Sequence, residues 1–113
     1  MEKTIEIDGK QVRLRSNAAT PIRYKTQFGR DFFSDILKMH TLTKFDPKKE
    51  NYEVLEKLDM TVFYNLIWVY AKTADPSIPE PIQWLDGFDK FPLEEVMETV
   101  QELLVHQFKT KKK

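Results

Sequence analysis

The residues of this chain that could carry out chemistry are few and widely spaced. The two histidines, His40 and His106, lack the short helical spacing with which paired histidines hold a metal ion. Glu94, Glu95 and Glu98 could supply a general acid and base, but acidic residues on one helix face are usually only solvated. The chain has no cysteine, which excludes disulfides and thiol nucleophiles, and its three glycines form no phosphate-binding motif. We therefore expect no catalytic residue, no metal site and no cofactor, and a protein that is not an enzyme.

Nucleic-acid binding is a second candidate chemistry. Five basic residues surround Tyr24 in the sequence, namely Arg13, Arg15, Arg23, Lys25 and Arg30. Such a cluster can neutralise phosphates while the aromatic ring stacks on a base. The whole chain, however, has 18 Lys and Arg against 18 Asp and Glu, so its formal net charge is zero. We therefore expect no nucleic-acid partner, and a small nucleic-acid-binding regulator remains the less favoured alternative.

The N-terminal residues of the chain predict a β-hairpin within residues 2–15. Apolar and polar side chains alternate over residues 4–15, and the apolar face comprises Ile5, Ile7, Val12 and Leu14. Asp8-Gly9 is the preferred pair for a two-residue type I′ turn, which places Ile5 opposite Val12. Because an isolated hairpin is marginally stable, its apolar face should pack on the rest of the chain, or its open edges should accept a strand from a partner.

Four residues predict a structural joint between the hairpin and a helical body. Thr20 and Pro21 indicate a helix start, with Thr20 as the N-cap and Pro21 at the first helical position. Gly29 indicates a left-handed helix end, and Asp31 can cap the helix that follows.

Helical spacing of apolar residues continues through most of the remaining chain. The predicted helices cover residues 21–28, 31–39, 51–73, 81–86 and 92–108. Asp59 can start a new helix within the third of these, and residues 41–50 form a polar linker with a turn at Asp46-Pro47. The fold class is therefore mainly α, an N-terminal hairpin followed by a small bundle of about four to five helices (α+β by strict count). Its 113 residues predict a single domain, with the helical body over 20–108 and a basic tail over 109–113.

Residues 62–71 are apolar almost all round the predicted helix, which is typical of a helix buried on every side. Such a helix is either the core of the chain or part of a surface that binds a partner or another copy. The large apolar side chains that are candidates for such a surface are Tyr24, Phe28, Phe63, Leu66, Ile67, Tyr70 and Trp84. The sequence leaves the core and the interface interpretations open for each of them.

An ordered set of short motifs spans about residues 3–105. It comprises Thr20-Pro21-x-x-Tyr24, Phe28-Gly29-x-Asp31, Ala74-Asp75 and Trp84-Leu85, preceded by the hairpin at 5–10. In this order the chain resembles the tail assembly chaperones of long-tailed phages and prophages of Gram-positive bacteria. Residues 41–58 carry no motif that matches the family.

The resemblance implies a protein that acts by binding. A member of this family binds and solubilises the tape measure protein, self-associates around it, and is displaced as the tail tube protein polymerises. The family also implies a homo-oligomer and a longer, frameshifted form of the same protein, for which Lys111-Lys112-Lys113 could encode the slippery site. A structural or adaptor protein-interaction domain of a phage particle is the alternative.

Location follows from what the sequence does not contain. No apolar run approaches the roughly 20 residues that span a bilayer, and no signal peptide is visible. We therefore expect no membrane partner and a location in the cytoplasm of the bacterial host.

Overall fold

The computed structural model describes residues 1–39, 46–50, 53 and 59–108. An antiparallel hairpin of β1 (Glu2–Ile7) and β2 (Lys10–Arg15) comes first. The helices that follow are α1 (Thr20–Phe28), α2 (Phe32–Lys38), α3 (Met60–Ala74), α4 (Pro81–Leu85) and α5 (Leu93–Phe108). A hairpin followed by a helical body is the architecture that the sequence predicts, and this fold class is confirmed.

The hairpin has the predicted register and packs on the helices. Ile5 lies opposite Val12, and both turn residues have positive φ angles, 54° at Asp8 and 78° at Gly9, as a type I′ turn requires. Ile7, Val12 and Leu14 are buried in the core, and Ile5 packs at its margin. β2 lies against α3 and β1 against α5, so the apolar face is covered by the chain itself.

The part of the predicted joint that lies between α1 and α2 has the local geometry expected of Gly29 and Asp31, and the term joint refers to this part below. Gly29 has a φ angle of 68°, and its N–H donates to the carbonyl of Lys25 at 2.8 Å, which closes α1. The Asp31 carboxylate accepts the N–H of Ser34 at 2.8 Å and caps α2. Glycine at the first position and aspartate at the second therefore set the break between the two helices.

The predicted role of Thr20 as the N-cap is wrong. Thr20 is the first residue of α1, Ala19 occupies the N-cap position without a side-chain bond, and Pro21 is the second helical residue. The Thr20 hydroxyl accepts the N–H of Asn17 at 3.1 Å and lies 3.2 Å from the Thr73 hydroxyl. The Thr73 hydroxyl donates to the Val69 carbonyl at 2.7 Å, and the Thr20 hydroxyl also lies 3.5 Å from the Asn17 amide oxygen. The buried contact between Thr20 and Thr73 ties α1 to the distant α3, which helix-start rules do not consider.

The long apolar helix is the central element of the fold. The Asp59 carboxylate accepts the N–H groups of Thr61 and Val62, and α3 begins at Met60, as the predicted new start requires. α3 runs antiparallel to α1, because Thr20 meets Thr73 while the Phe28 ring lies 5.5 Å from the Trp68 ring.

The turn at Asp46-Pro47 is confirmed by a short 3-10 helix over Pro47–Lys49. His40, residues 41–45 of the linker, residues 51–58 of the predicted helix except 53, and the basic tail lie outside the described residues.

α5 is the amphipathic helix that the spacing predicts. Val96, Met97, Val100 and Leu104 are buried, whereas Leu93 is partly exposed at the start of the helix. Leu103 is also fully buried. Within the described ranges, no helix is both long enough and apolar enough to cross a membrane.

Gly29→Ala should lower the free energy of unfolding by about 1 kcal/mol, because an L side chain at a φ angle of 68° is strained. An added Cβ meets no heavy atom within 4 Å, so the expected loss comes from the backbone alone. Urea unfolding of the purified protein measures it. Gly29→Asn is the matched control and should lose less, because asparagine tolerates the left-handed region. Equal stability of the wild type and the alanine variant would contradict this account of the joint.

Candidate interaction surface

Most of the residues predicted as a partner surface lie in the core of the single chain. Tyr24, Phe63, Leu66, Ile67 and Tyr70 are fully buried, and Trp84 is nearly so. Phe28 is half-buried and packs at the edge of the core. Of the two interpretations that the sequence left open, these positions fit the core, because the chain's own elements cover them.

The buried aromatic rings hold three helices together. The Tyr24 ring lies 4.9 Å from that of Phe28 and 5.4 Å from that of Phe32, centroid to centroid. Phe28 contacts Trp68, and Phe32 contacts Tyr70 at 6.4 Å, so rings of α1 and α2 both meet α3. These tilted and edge-on contacts are the arrangements that aromatic pairs prefer, and they pack α1 and α2 against α3.

A charged residue that the sequence did not single out lies beneath this joint. Asp35 on α2 is 1 % exposed and accepts the Tyr24 hydroxyl proton at 2.7 Å. Arg30 binds both carboxylate oxygens of Asp35 through Nε and Nη2, each at 2.7 Å. Lys38 lies 3.7 Å away at its rim. The buried carboxylate therefore has a partner on α1, one in the joint and one on α2.

The electrostatics of this cluster keep Asp35 ionised. The bond from Arg30 holds the pKa of the Asp35 carboxyl below its usual range, although burial acts in the opposite direction. Burial, and then the neighbouring Asp35, raise the pKa of the Tyr24 hydroxyl above its ordinary value. Carboxylate and phenol thus remain a charged acceptor and a neutral donor at neutral pH. Since both are buried, the pair anchors α2 to α1 and cannot reach a substrate.

The basic cluster does not gather around an accessible aromatic ring. Tyr24 is fully buried, so it cannot stack on a base. Arg13 pairs with Glu2 at 3.0 Å, and Arg30 is held by Asp35.

His106 lies with Nδ1 3.4 Å from the Ser16 hydroxyl. In the part of the chain that the structure describes, no three His, Asp or Glu residues are grouped as metal ligands.

A surface groove runs along α1 and α3, and α4 forms its far wall at one end. It consists of two neighbouring depressions, of about 340 and 620 Å³, that share Gln27 in their lining. We call it the α1–α4 groove. The first depression is lined by residues that include Ile22, Arg23, Gln27, Trp68 and Lys72. The second is lined by residues that include Gln27, Phe28, Asn65, Glu80, Ile82 and Asp86.

The walls of the α1–α4 groove are held in place by bonds from its floor. The Trp68 indole Nε1 donates to the Pro79 carbonyl at 2.9 Å, and the Lys72 ammonium donates to the Ile78 carbonyl at 2.7 Å. These bonds keep the chain before α4 alongside α3. The opposite wall, α1, is held by the Thr20–Thr73 contact. The groove is therefore preformed, as binding sites usually are.

Two isoleucines make the rims of this groove apolar. Ile22 on α1 is 69 % exposed and Ile82 on α4 is 74 % exposed, more than any other large apolar side chain among the described residues. Sequence reasoning missed both, because it ranked the large aromatic residues as anchors. A signal was present, since each isoleucine follows the proline at its helix start and lies off the buried face marked by Tyr24 or Trp84.

Comparison of this chain with protein-family models, curated proteins and solved structures found no match in any of the three.

Proposed function

We propose that this protein is a phage tail assembly chaperone that binds and solubilises the tape measure protein during tail morphogenesis. In this proposal several copies self-associate around the client and are displaced as the tail tube protein polymerises. The proposal begins from the ordered motifs that resemble this chaperone family. It includes the longer frameshifted form and the cytoplasm of the bacterial host, which the resemblance also implies.

The structural observation that most supports binding is the preformed α1–α4 groove with its exposed apolar rims. A groove with Ile22 and Ile82 at its margins offers apolar contact to a client that must be kept from aggregating. Phe33 and Leu37, one helical turn apart on α2, are also more than half exposed. Apolar side chains at several places on a small body suit a protein that shields apolar surface of another chain.

The formal charge of the chain is compatible with many copies on one client. With 18 basic and 18 acidic residues, copies bound side by side carry no net repulsion between them. The motif residues Gly29 and Asp31 set the break between α1 and α2. The joint therefore fixes how the helices of one subunit are presented to its neighbour.

Co-expression with a fragment of the tape measure protein from the same genome tests the proposal. We expect the soluble fraction of the fragment to rise several-fold and the two chains to purify together. A small unrelated α+β protein, expressed at the same level, is the control and should leave the fragment insoluble. A fragment that stays insoluble beside abundant soluble chaperone would contradict the proposal.

Mass spectrometry of purified virions separates the chaperone from a structural or adaptor component of the particle. A chaperone that is displaced during assembly should be absent from finished virions, whereas a structural domain should be present in a fixed ratio to the tube protein. Stoichiometric presence in virions would favour the adaptor alternative.

A further inference from the structure

We propose that the α1–α4 groove binds one amphipathic helix of its client in a single direction. The N-terminal end of that helix lies at Glu80 and Asp86, and its C-terminal end lies at Arg23 and Lys72. This inference rests on the proposed function, because the client helix is taken to belong to the tape measure protein. It adds the site, the kind of segment and the polarity of binding.

The dimensions of the groove fit about two turns of helix. Its floor runs along α3 from Asn65 to Lys72, a distance of about 10 Å at the helical rise of 1.5 Å per residue. Ile22 lies on the α1 side and Ile82 on the α4 side. A client helix with apolar residues at positions i, i+3 or i+4 and i+7 presents a stripe that contacts both rims.

The charges of the groove differ between its ends. Arg23 and Lys72 line the first depression, and no acidic residue is among its described lining. Glu80 and Asp86 line the second, where the described lining holds no basic residue. Arg23 donates to the Thr73 hydroxyl and Lys72 to a carbonyl, both of them neutral acceptors. Within the described lining, the positive charge at one end and the negative charge at the other therefore have no partner of opposite sign, and Asp75, which interacts electrostatically with Lys72, lies outside that lining.

This charge distribution matches the dipole of a helix better than it matches the charges of an extended strand or a nucleic acid. A helix carries about half a positive charge at its N-terminus and half a negative charge at its C-terminus, and it is stabilised by opposite charges there. An extended strand has only a small net dipole. A nucleic acid, with uniform phosphate charge, is repelled by Glu80 and Asp86. Helix reversal places like charges together at both ends, so the groove favours one direction.

Site-directed crosslinking tests the direction, because the chain has no cysteine of its own. Thr26→Cys reports on the Arg23 end and Gln83→Cys on the Glu80 end, since each lines one depression. The probe is found by screening overlapping 25-residue peptides that cover the tape measure protein, and the tightest binder is trimmed to the shortest segment that still binds, about two to three helical turns. This trimmed peptide is made with a single cysteine at either terminus. We expect Thr26→Cys to form a disulfide with the C-terminal cysteine and Gln83→Cys with the N-terminal one, each at least about fivefold faster than the converse pair.

Rim substitutions test the location independently. Ile22→Glu and Ile82→Glu should each weaken peptide binding by about tenfold or more, as expected for anchors of an apolar stripe. Val105→Glu is the matched control, because Val105 is 40 % exposed on α5 outside the groove, and it should change affinity by less than about twofold. All three positions are exposed, so circular dichroism should show an unchanged fold.

The outcomes separate this inference from the proposed function. If wild-type protein binds tape measure peptides but the rim variants bind equally well, the groove is not the site, while the chaperone proposal stands. Equal or reversed crosslinking overturns the direction. Disulfides formed only between two copies of the chain show that the groove holds a second copy instead. If no peptide binds the wild type and the longer fragment also fails to bind, the proposed function itself is wrong.

Discussion

Tyr70→Ala is expected to lower the free energy of unfolding by about 3–5 kcal/mol, the usual loss when a large aromatic side chain is removed from a core. Tyr70 is fully buried on α3 and contacts the Phe32 ring of α2. If Tyr70 belonged to an interface instead, its loss would leave the stability of the monomer nearly unchanged and reduce association. Urea unfolding monitored by circular dichroism, with sedimentation to report association, distinguishes the two.

Tyr70→Phe is the matched variant that keeps this prediction testable if the alanine variant does not fold. The buried Tyr70 hydroxyl has no hydrogen-bond partner among the residues that the structure describes, and burial raises its pKa above the ordinary value. Its removal should therefore leave stability unchanged or raise it by about 1 kcal/mol, because an unsatisfied buried polar group is unfavourable. A loss of more than about 1 kcal/mol in Tyr70→Phe would show that the hydroxyl has a partner.

Asp35→Ala is expected to lower the free energy of unfolding by about 2–3 kcal/mol. The substitution leaves the buried Tyr24 hydroxyl without its acceptor, and such orphaned groups reduce stability by about 1–3 kcal/mol. Loss of the charged acceptor places the effect in the upper part of that range. Arg30 is about half exposed and regains water, so it adds little to the loss. A double variant with Tyr24→Phe should lose less than the sum of the two single variants.

The pH dependence of stability gives an independent test of the same cluster. The folded-state pKa of Asp35 is lower than its unfolded value of about 4, so its ionisation stabilises the fold above that pH. This contribution is lost as the pH falls from about 4 through the folded-state pKa. Asp35→Asn removes the titrating group, so its deficit relative to the wild type should shrink over that acidic range. A deficit that stays constant with pH would contradict the account.

The elements that the sequence predicts well are those governed by neighbouring residues. The hairpin register follows from Asp8-Gly9 and the alternation beside it. The helix break follows from Gly29 and Asp31, whose roles depend on atoms no more than four residues away. α5 is predictable because its apolar residues recur at helical spacing.

The features that were missed depend on residues far apart in the chain. Thr20 carries every local sign of an N-cap, yet its hydroxyl contacts that of Thr73 at 3.2 Å, which no short-range rule considers. Aspartate on a helix is usually exposed, and the burial of Asp35 depends on its contacts with Tyr24 and Arg30. A pattern along one helix does not reveal which distant element covers it.

The residues of the candidate site were also missed because tertiary packing decides which apolar side chains stay exposed. Large aromatic residues are good anchors at interfaces, but in this small domain Tyr24, Tyr70 and Trp84 are buried in the core. The exposed apolar side chains at the rims of the groove are instead Ile22 and Ile82, each of which directly follows a proline. The groove between them exists because α1 and α4 flank α3, which is a property of the tertiary structure alone.

The most direct test of the central claim is sedimentation velocity of the purified protein mixed with tape measure fragments of increasing length. We expect a complex in which the number of bound copies rises in proportion to fragment length, because each copy covers one short helical segment. A mixture in which the protein and every fragment sediment separately would contradict the claim that this chain is a chaperone for a long helical client.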